Sequence, residues 1–286
     1  MMSILKVAVQ KSGRLSEDSL KLFKECGIKF NNGAKKLKAQ SHNFPIEFLF
    51  LRDDDIPGYV EDGIADIGIV GQNVHEEYLK NIDVAKYLGF SKCRLSLAIP
   101  REEDYPGISY FDGKNIATSY PNILKKFLKE KSISCEVHEI SGSVEIAPGI
   151  GLAEGICDIV SSGSTLLSNG LKEVETVAKS EAVLIASKSL DASKKELLDQ
   201  LIFRINAVLE GKNNKYVLLN APNENIEGII KLLPGMRSPT VLPLAQDGWS
   251  SIHSVINEDD FWENIEKLRE AGAEGVLVVP IEKMIN

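Results

Sequence analysis

The most informative stretch of this chain reads Cys157-Asp158-Ile159-Val160-Ser161-Ser162-Gly163-Ser164-Thr165-Leu166. An apolar run passes into small hydroxyl residues and a glycine, which indicates a buried strand, a tight loop and a helix that begins near Leu166. This order is the building unit of an α/β fold. The loop also directs N–H groups and hydroxyls to one point beside a helix N-terminus, which favours a phosphate. A helix cap made of serine and threonine is the simpler alternative.

Two residues of this stretch suit a phosphorylated sugar. Gly163 permits either the close approach of a ligand or a positive φ. Asp158 lies upstream on the strand, where its carboxylate can accept hydrogen bonds from two sugar hydroxyls. The spacing of acid, glycine and threonine resembles the motif with which phosphoribosyltransferases bind their substrate, and this resemblance implies a site for a 5-phosphoribose group.

The alternation of strands and helices continues on both sides of the loop. Predicted strands are 6–9, 46–51, 66–70, 94–99, 114–119, 135–140, 156–160 and 183–187, and predicted helices are 16–26, 56–62, 73–79, 121–131 and 193–210. This pattern indicates α/β domains, the first with a largely parallel sheet. Prolines and charges in 100–112 predict a crossing into a second lobe.

A polar run, GKNNK at 211–215, is the best candidate for a linker. After it, strands are predicted at 216–220, 240–244, 251–256 and 275–279, with helices at 224–233 and 259–271. The resulting βαββαβ order is that of the ferredoxin-like fold. We therefore expect lobe I at 1–100 and 180–211, lobe II with the loop at 101–179, and a third domain at 212–286.

Composition excludes several classes of protein. The net charge of −8 argues against a nucleic-acid partner, because phosphate backbones are met by basic surfaces. No apolar run approaches the roughly 20 residues that span a bilayer, and the N-terminus has no export signal. The four cysteines lack CxxC spacing, which indicates free thiols in a reducing compartment. These features predict a cytoplasmic protein without a membrane partner.

Segments along the whole chain, in order, resemble those of the ATP phosphoribosyltransferase family. They are QKSGRL (10–15), RDDDIP (52–57), DIGIVG (66–71), CRLSLA (93–98), ATSYP (117–121), GSVEIAP (142–148), GLA (151–153), NGL (169–171) and PIEKM (280–284). The C-terminal unit matches the long form of this family. Nucleobase phosphoribosyltransferases carry two adjacent acids where this chain has Cys157-Asp158, and they favour threonine where it has Ser162.

The resemblance implies a core similar to the type II periplasmic binding proteins, with two lobes around a cleft, and a regulatory third domain. The implied reaction is the first step of histidine biosynthesis. It joins N1 of ATP to C1 of 5-phosphoribosyl pyrophosphate (PRPP), releases pyrophosphate and requires Mg²⁺. The resemblance also implies a homo-oligomer, dimer and hexamer, that is inhibited by histidine. AMP is a further candidate effector.

The resemblance also assigns site residues. The PRPP residues are Ser161, Ser162, Gly163, Ser164, Thr165 and Leu166 for the 5-phosphate, with Asp158 and Glu145 for the ribose diol. The residues for pyrophosphate or ATP are Lys11, Arg14, Arg52, Asp66, Gln72, Asn73 and Tyr120, the last by stacking on adenine. The residues that would contact the inhibitor histidine are Met236, Thr240 and Gly275. No general acid or base is assigned, because adenine N1 has no proton to lose, and the metal ligands are left open.

Two other functions compete with this one. A small-solute-binding protein would suit a two-lobed fold, but such proteins are exported and no signal is present. A nucleobase phosphoribosyltransferase would use a similar loop, but the missing second acid at Cys157 and the third domain argue against it.

Overall fold

The computed structural model describes residues 3–31, 37–233 and 238–285, which form three β-sheets. The strands are β1 (Leu5–Gln10), β2 (Lys38–Gln40), β3 (Ile46–Leu51), β4 (Ile67–Gly71), β5 (Ile82–Tyr87), β6 (Cys93–Pro100), β7 (Asn115–Thr118), β8 (Glu136–Glu139), β9 (Gly155–Val160), β10 (Leu171–Ser180), β11 (Ala182–Ser187), β12 (Asn214–Pro222), β13 (Thr240–Pro243), β14 (Trp249–Asn257) and β15 (Glu274–Pro280). The α-helices are α1 (Arg14–Glu25), α2 (Ile56–Glu61), α3 (Gln72–Tyr78), α4 (Pro121–Glu130), α5 (Ser164–Ser168), α6 (Ala192–Asn213), α7 (Ile226–Leu232) and α8 (Glu258–Glu270).

The first sheet forms lobe I and has the strand order β2-β3-β1-β4-β11-β5. Strands β3, β1 and β4 are parallel, whereas β2 and β11 pair antiparallel with their neighbours. Strands β3, β1, β4 and β5 therefore run in one direction, as a largely parallel sheet requires, and β2 and β11 run in the opposite direction. Strand β11 is reversed because it returns from the other lobe. All six residues of β11 are buried, as expected for a strand covered on both faces.

The second sheet forms lobe II and has the order β10-β6-β9-β7-β8. Strand β6 pairs antiparallel with both β9 and β10, so this predicted strand lies in the sheet of lobe II, although the boundary expected at residue 100 assigns it to lobe I. Strand β10 was not predicted, because charged residues such as Lys172, Glu173 and Glu175 interrupt its apolar pattern. Strand β9 is central and delivers the loop at 161–163 to the edge of the sheet.

The third sheet is antiparallel, with the order β13-β14-β12-β15. Helices α7 and α8 complete the predicted βαββαβ arrangement, which is confirmed. Chain contacts divide the protein into two compact units, Met1–Lys24 with Ile28–Leu198, and Glu25–Gly27 with Asp199–Asn286. Both lobes belong to the first unit. Apart from the placement of β6, the expected domain limits stay a prediction.

The predicted linker at 211–215 is wrong, because α6 continues to Asn213 and β12 begins at the next residue. The Asn214 side chain donates to the Glu210 carbonyl over 2.8 Å, and Gly211 is buried. A Cβ at Gly211 would lie 2.8 Å from the carbonyl oxygen of Ile281. The polar, turn-forming residues of this segment end a helix and allow close packing. Their composition therefore resembles that of a linker although they do not form one.

Close packing of α2 on β4 predicts a stability change. A Cβ at Gly68 would lie 2.5 Å from Cγ2 of Ile56, a side chain with no exposed surface. We expect Gly68→Ala to lower the free energy of unfolding by about 1–3 kcal/mol, because the fully packed core has no room for the methyl group. Gly58→Ala, within α2 and without a neighbour inside 4 Å, should be neutral or stabilising by up to about 1 kcal/mol. Urea unfolding measures both, and equal effects would contradict this account.

Candidate active site

Three neighbouring parallel strands end at one edge of lobe I. Lys11 follows β1, Arg52 follows β3 and Gln72 follows β4. The backbone N–H of Lys11 donates to the Leu51 carbonyl over 2.8 Å, which keeps the first two strand ends together. Lys11 and Arg52 are exposed and Gln72 is half-buried. Ligands of open α/β sheets lie beyond such carboxyl ends, so these predicted residues lie where a ligand would bind.

A cleft of about 320 Å³ brings residues of both lobes together. Its lining includes the predicted residues Arg14, Asn73, Tyr120 and Ser161. A neighbouring cavity of about 440 Å³ is lined by Gln72 and also reaches Ser161. Five charged residues that line these spaces had no role predicted from the sequence, namely Asp53, Lys92, Arg94, Lys179 and Glu181.

The loop between β9 and α5 has the backbone form that a glycine requires. Gly163 has φ 81° and ψ −1°, so the positive φ is confirmed. Ser161, Ser162, Ser164 and Thr165 are exposed, and the hydroxyls of Ser162 and Ser164 lie 3.0 Å apart. Because α5 has only five residues, its dipole is small, and the N–H groups and hydroxyls would supply the attraction for an anion.

Leu166 differs from the rest of the loop. Its side chain is buried in a hydrophobic cluster of lobe II, together with Val160 and Leu171. It anchors α5 and does not face the cleft, so the prediction that it contacts PRPP holds at most for its backbone.

The carboxyl of Asp158, a predicted diol acceptor, lies close enough to Glu145, the second candidate, to be affected by its charge. Burial raises the pKa of the Asp158 carboxyl, and the negative charge of Glu145 raises it further. The N–H of Ile159 donates to Asp158 Oδ1 over 2.8 Å and acts in the opposite direction. Two partly buried carboxylates that repel each other are stabilised by hydrogen-bond donors or by a cation, so this pair can bind either.

Tyr120 lies where acidic groups of both lobes converge. Its phenol pKa is raised by burial first and then by the negative charges of Asp158, Asp53 and Asp54, while a hydrogen bond with Asn73 lowers it. The hydroxyl therefore stays protonated and can donate. The ring precedes α4 and lines the cleft, which is compatible with the predicted stacking on adenine.

Arg94 supports the loop from the adjacent strand. It forms an ion pair with Glu173 of β10, and its Nη1 donates to the carbonyl of Ser161 over 3.3 Å. Ser96 donates to the same Glu173 over 2.8 Å. Arg94 and Ser96 lie within the family segment at 93–98. Apart from that, the only sequence signal for a role was a charged residue on an otherwise apolar strand.

Asp66 does not lie in the cleft, which corrects its assignment to the nucleotide side. It precedes β4 and therefore lies at the amino end of the strand, opposite Gln72. Its buried carboxylate pairs with Lys194 Nζ at 2.8 Å and accepts from the N–H of Lys6 at 2.8 Å. These bonds give Asp66 a structural role in lobe I.

Thr240 and Gly275, two of the three residues predicted to contact the inhibitor histidine, lie apart from each other in the third sheet. Met236 lies outside the described residues. Thr240 is in β13 and Gly275 is in β15, the two edge strands of the third sheet. Three strand spacings separate these edges, which is about 14 Å. Gly275 has φ 58°, so a glycine suits this position.

Within residues 3–31, 37–233 and 238–285, no group of three or more His, Cys, Asp or Glu residues could hold a metal ion. Among the same residues, no helix is long and apolar enough to cross a membrane.

Two α/β lobes around a polar cleft, followed by a ferredoxin-like domain, define the class: a core of the type II periplasmic-binding-protein kind with a C-terminal extension. The family model for ATP phosphoribosyltransferase matches residues 52–207, and the model for the HisG C-terminal domain matches 211–283. The chain belongs to the ATP phosphoribosyltransferase family, in its long form.

Individual relatives agree with this assignment. The ATP phosphoribosyltransferase of Cytophaga hutchinsonii is 60% identical over 286 residues, 100% of both chains. That of Phocaeicola vulgatus is 59% identical over 99% of this chain and 100% of its own. A chain of the ATP phosphoribosyl transferase (HisG:HisZ) complex from Thermotoga maritima has 28% identity and a TM-score of 0.59, over 71% of this chain and 98% of that one. The family and the enzyme class, a pentosyltransferase, are therefore confirmed.

The loop geometry predicts the effect of a substitution. A Cβ at Gly163 would meet only Val160, at 3.9 Å, so the cost of Gly163→Val is the positive φ, about 1–2 kcal/mol, together with obstruction of the approach to the loop. We expect the variant to fold and to lose PRPP binding in calorimetry. Gly149→Val, at a loop glycine without positive φ, is the control and should bind normally. Normal PRPP affinity of Gly163→Val would show that the loop is only a helix cap.

Proposed function

We propose that this chain transfers the 5-phosphoribosyl group of PRPP to N1 of ATP, giving N1-(5-phosphoribosyl)-ATP and pyrophosphate, the first step of histidine biosynthesis. The observation that carries the proposal is the cleft that joins Ser161 of the loop in lobe II to Arg14 of lobe I and to Tyr120. One space thus offers a phosphate-binding loop, a cation and an aromatic ring. Membership of the family supports the same reaction.

Each lobe would hold a different part of the substrates. The loop from Ser161 to Thr165 would bind the 5-phosphate through N–H groups and hydroxyls. Asp158 and Glu145 would accept hydrogen bonds from the ribose hydroxyls. C1 of a ribose held in this way would have to face the cleft that residues of both lobes line.

Cations of lobe I would receive the departing pyrophosphate and the phosphates of ATP. Lys11, Arg14 and Arg52 follow or begin elements at the carboxyl edge of the first sheet. Lys92 and Lys179, which line the cavities, extend this positive region. Stabilising the charge that develops on a leaving group is the largest single contribution that such fixed cations make.

Mg²⁺ fits the residues present if substrate phosphates supply part of its coordination. An ion bound in this way needs only one or two protein carboxylates. Asp158 and Glu145 are such a pair, and a cation would relieve the repulsion that raises the Asp158 pKa. When bound, Mg²⁺ would neutralise charge on the pyrophosphate.

The chemistry then needs orientation more than proton transfer. N1 of adenine attacks C1 with its lone pair while the bond from C1 to the pyrophosphate oxygen breaks, and no proton leaves N1. Tyr120 would hold the adenine plane, and the loop would fix the ribose. Holding two reactants in register lowers the barrier without a general base.

A direct assay tests the proposal. The protein is mixed with ATP, PRPP and Mg²⁺, and the new absorbance of the N1-substituted adenine is followed, with pyrophosphate release as a second readout. Turnover supports the proposed reaction. Turnover with free nucleobases instead of ATP would identify a nucleobase phosphoribosyltransferase, and binding without turnover would identify a solute-binding protein.

We further propose that the C-terminal domain binds histidine, that histidine inhibits the enzyme, and that AMP is a second effector. Thr240 and Gly275 lie on exposed edge strands about 14 Å apart, so one histidine that contacts both would need two copies of the chain. This geometry supports a homo-oligomer, dimer or hexamer. The four cysteines are free thiols, which is compatible with a location in the reducing cytoplasm.

Asp158 is the residue to test for ribose binding. Asp158→Asn should keep the fold and weaken the use of PRPP by about 1–3 kcal/mol, because a charge-assisted hydrogen bond becomes a neutral one. The ratio kcat/KM for PRPP measures the loss. Asp104→Asn, an exposed acid of lobe II, should have no effect. Wild-type kinetics in Asp158→Asn would remove this residue from the site.

Thr240 is the residue to test for feedback inhibition. Thr240→Val removes a hydroxyl at nearly constant shape, so a higher histidine concentration should be needed for half-inhibition while substrate KM values stay the same. Val241→Thr, the reverse change at the next residue of β13, is the matched control. An unchanged inhibition curve for Thr240→Val would place the effector contact elsewhere.

A further inference from the structure

A carboxylate of lobe I caps a helix of lobe II. Glu77 of α3 accepts the backbone N–H of Asn122 at Oε1 over 2.8 Å and that of Ile123 at Oε2 over 3.0 Å. The Asn122 side chain in turn donates to the Glu77 carbonyl over 3.0 Å. Glu77 is only 5% exposed, and its bond to the N–H of Ile123 is buried, whereas the two bonds with Asn122 are partly buried.

The first turn of α4 needs such a partner. The first N–H groups of an α-helix have no acceptor within the helix, and they carry the positive end of its dipole. The residue at the N-cap position, Tyr120, makes no side-chain capping bond. Glu77 therefore does from lobe I what an N-cap side chain does locally, with both carboxylate oxygens in use.

The same face of α3 carries a second contact between the lobes. Asn73 lies four residues before Glu77, so the two side chains share one face of the helix. The N–H of Asn73 donates to Ser180 Oγ over 3.1 Å, and Ser180 donates back to Asn73 Oδ1 over 2.8 Å. Asn73 and Tyr120 line the same cleft. One face of α3 is thus joined both to the first turn of α4 and to Ser180 of β10.

We propose that Glu77 is a positioning residue, which sets the spacing of the two halves of the cleft by fixing the start of α4 against α3. Helix α3 begins at Gln72, beside the cations of lobe I, and α4 begins directly after Tyr120. Glu77 touches no substrate. This inference rests on the proposed function, because it concerns substrates that must contact both lobes at once.

Hydrogen exchange tests the contact itself, independently of activity. The N–H groups of Asn122 and Ile123 have no acceptor within α4, so their protection reports the Glu77 carboxylate. We expect slow exchange in the wild-type protein and at least about tenfold faster exchange in Glu77→Gln, in which an NH2 donor replaces one of the two acceptor oxygens. Glu130→Gln, at the other end of α4, is the matched control and should leave both rates unchanged.

Kinetics test the positioning role. Glu77→Gln should raise KM for PRPP and for ATP by about tenfold, with a smaller change in kcat, at a temperature where the variant is folded. Glu77→Asp keeps the charge and should restore part of the loss. Unprotected amides in the wild type would overturn the contact, and wild-type KM values in Glu77→Gln with exposed amides would overturn the role.

Two further outcomes are distinguishable. If Glu77→Gln fails to fold, Glu77→Asp decides, and a lower unfolding temperature with unchanged KM values would show that Glu77 is merely structural. Protected amides in a wild-type protein that does not turn over ATP and PRPP would reject the proposed function, and with it the positioning role, while the contact would stand.

Discussion

The cleft depends on a crossing between the lobes that is one residue long. Strand β10 of lobe II ends at Ser180 and β11 of lobe I begins at Ala182, so Glu181 is the whole connection between these two strands of different sheets. The carbonyl of Glu181 accepts the N–H of Gln72 over 2.8 Å, and the Ser180 hydroxyl accepts that of Asn73 over 3.1 Å. The crossing therefore satisfies the first turn of α3, which has no side-chain cap of its own.

The cleft contains both negative and positive side chains, because the two sheets bring charged strand ends and loops together. Asp53 to Asp55 follow Arg52 at the edge of lobe I, and burial raises the pKa of Asp54, helped by the charges of Asp53 and Asp55. Asp158 brings a further carboxylate from lobe II. Cations such as Arg14 and Lys92 share the same space. A site of mixed sign suits substrates that combine phosphates, sugar hydroxyls and a metal ion, because each part finds a group of opposite or complementary character.

The sequence predicted those features that depend on local pattern. Apolar runs located β3 at its observed bounds, and the positive φ of Gly163 followed from its place in a tight loop. Features that depend on distant partners were missed or misassigned. The charge of Glu173 on β10 is accommodated by an ion pair with Arg94 on the next strand. The buried carboxylate of Asp66 is likewise accommodated by Lys194. Neither partner is visible from spacing along the chain.

The proposed reaction makes such distant partners part of function. A nucleophile without a proton and a leaving group that needs only charge stabilisation leave the protein one main task, which is to hold two substrates in register. Register across a cleft is set by the contacts that join its two walls. Arg94 donates to the carbonyl of Ser161 at the start of the loop, and Glu77 accepts two N–H groups of the first turn of α4. Under the proposed reaction, such residues would affect KM without touching a substrate, because they set where each half of the site lies.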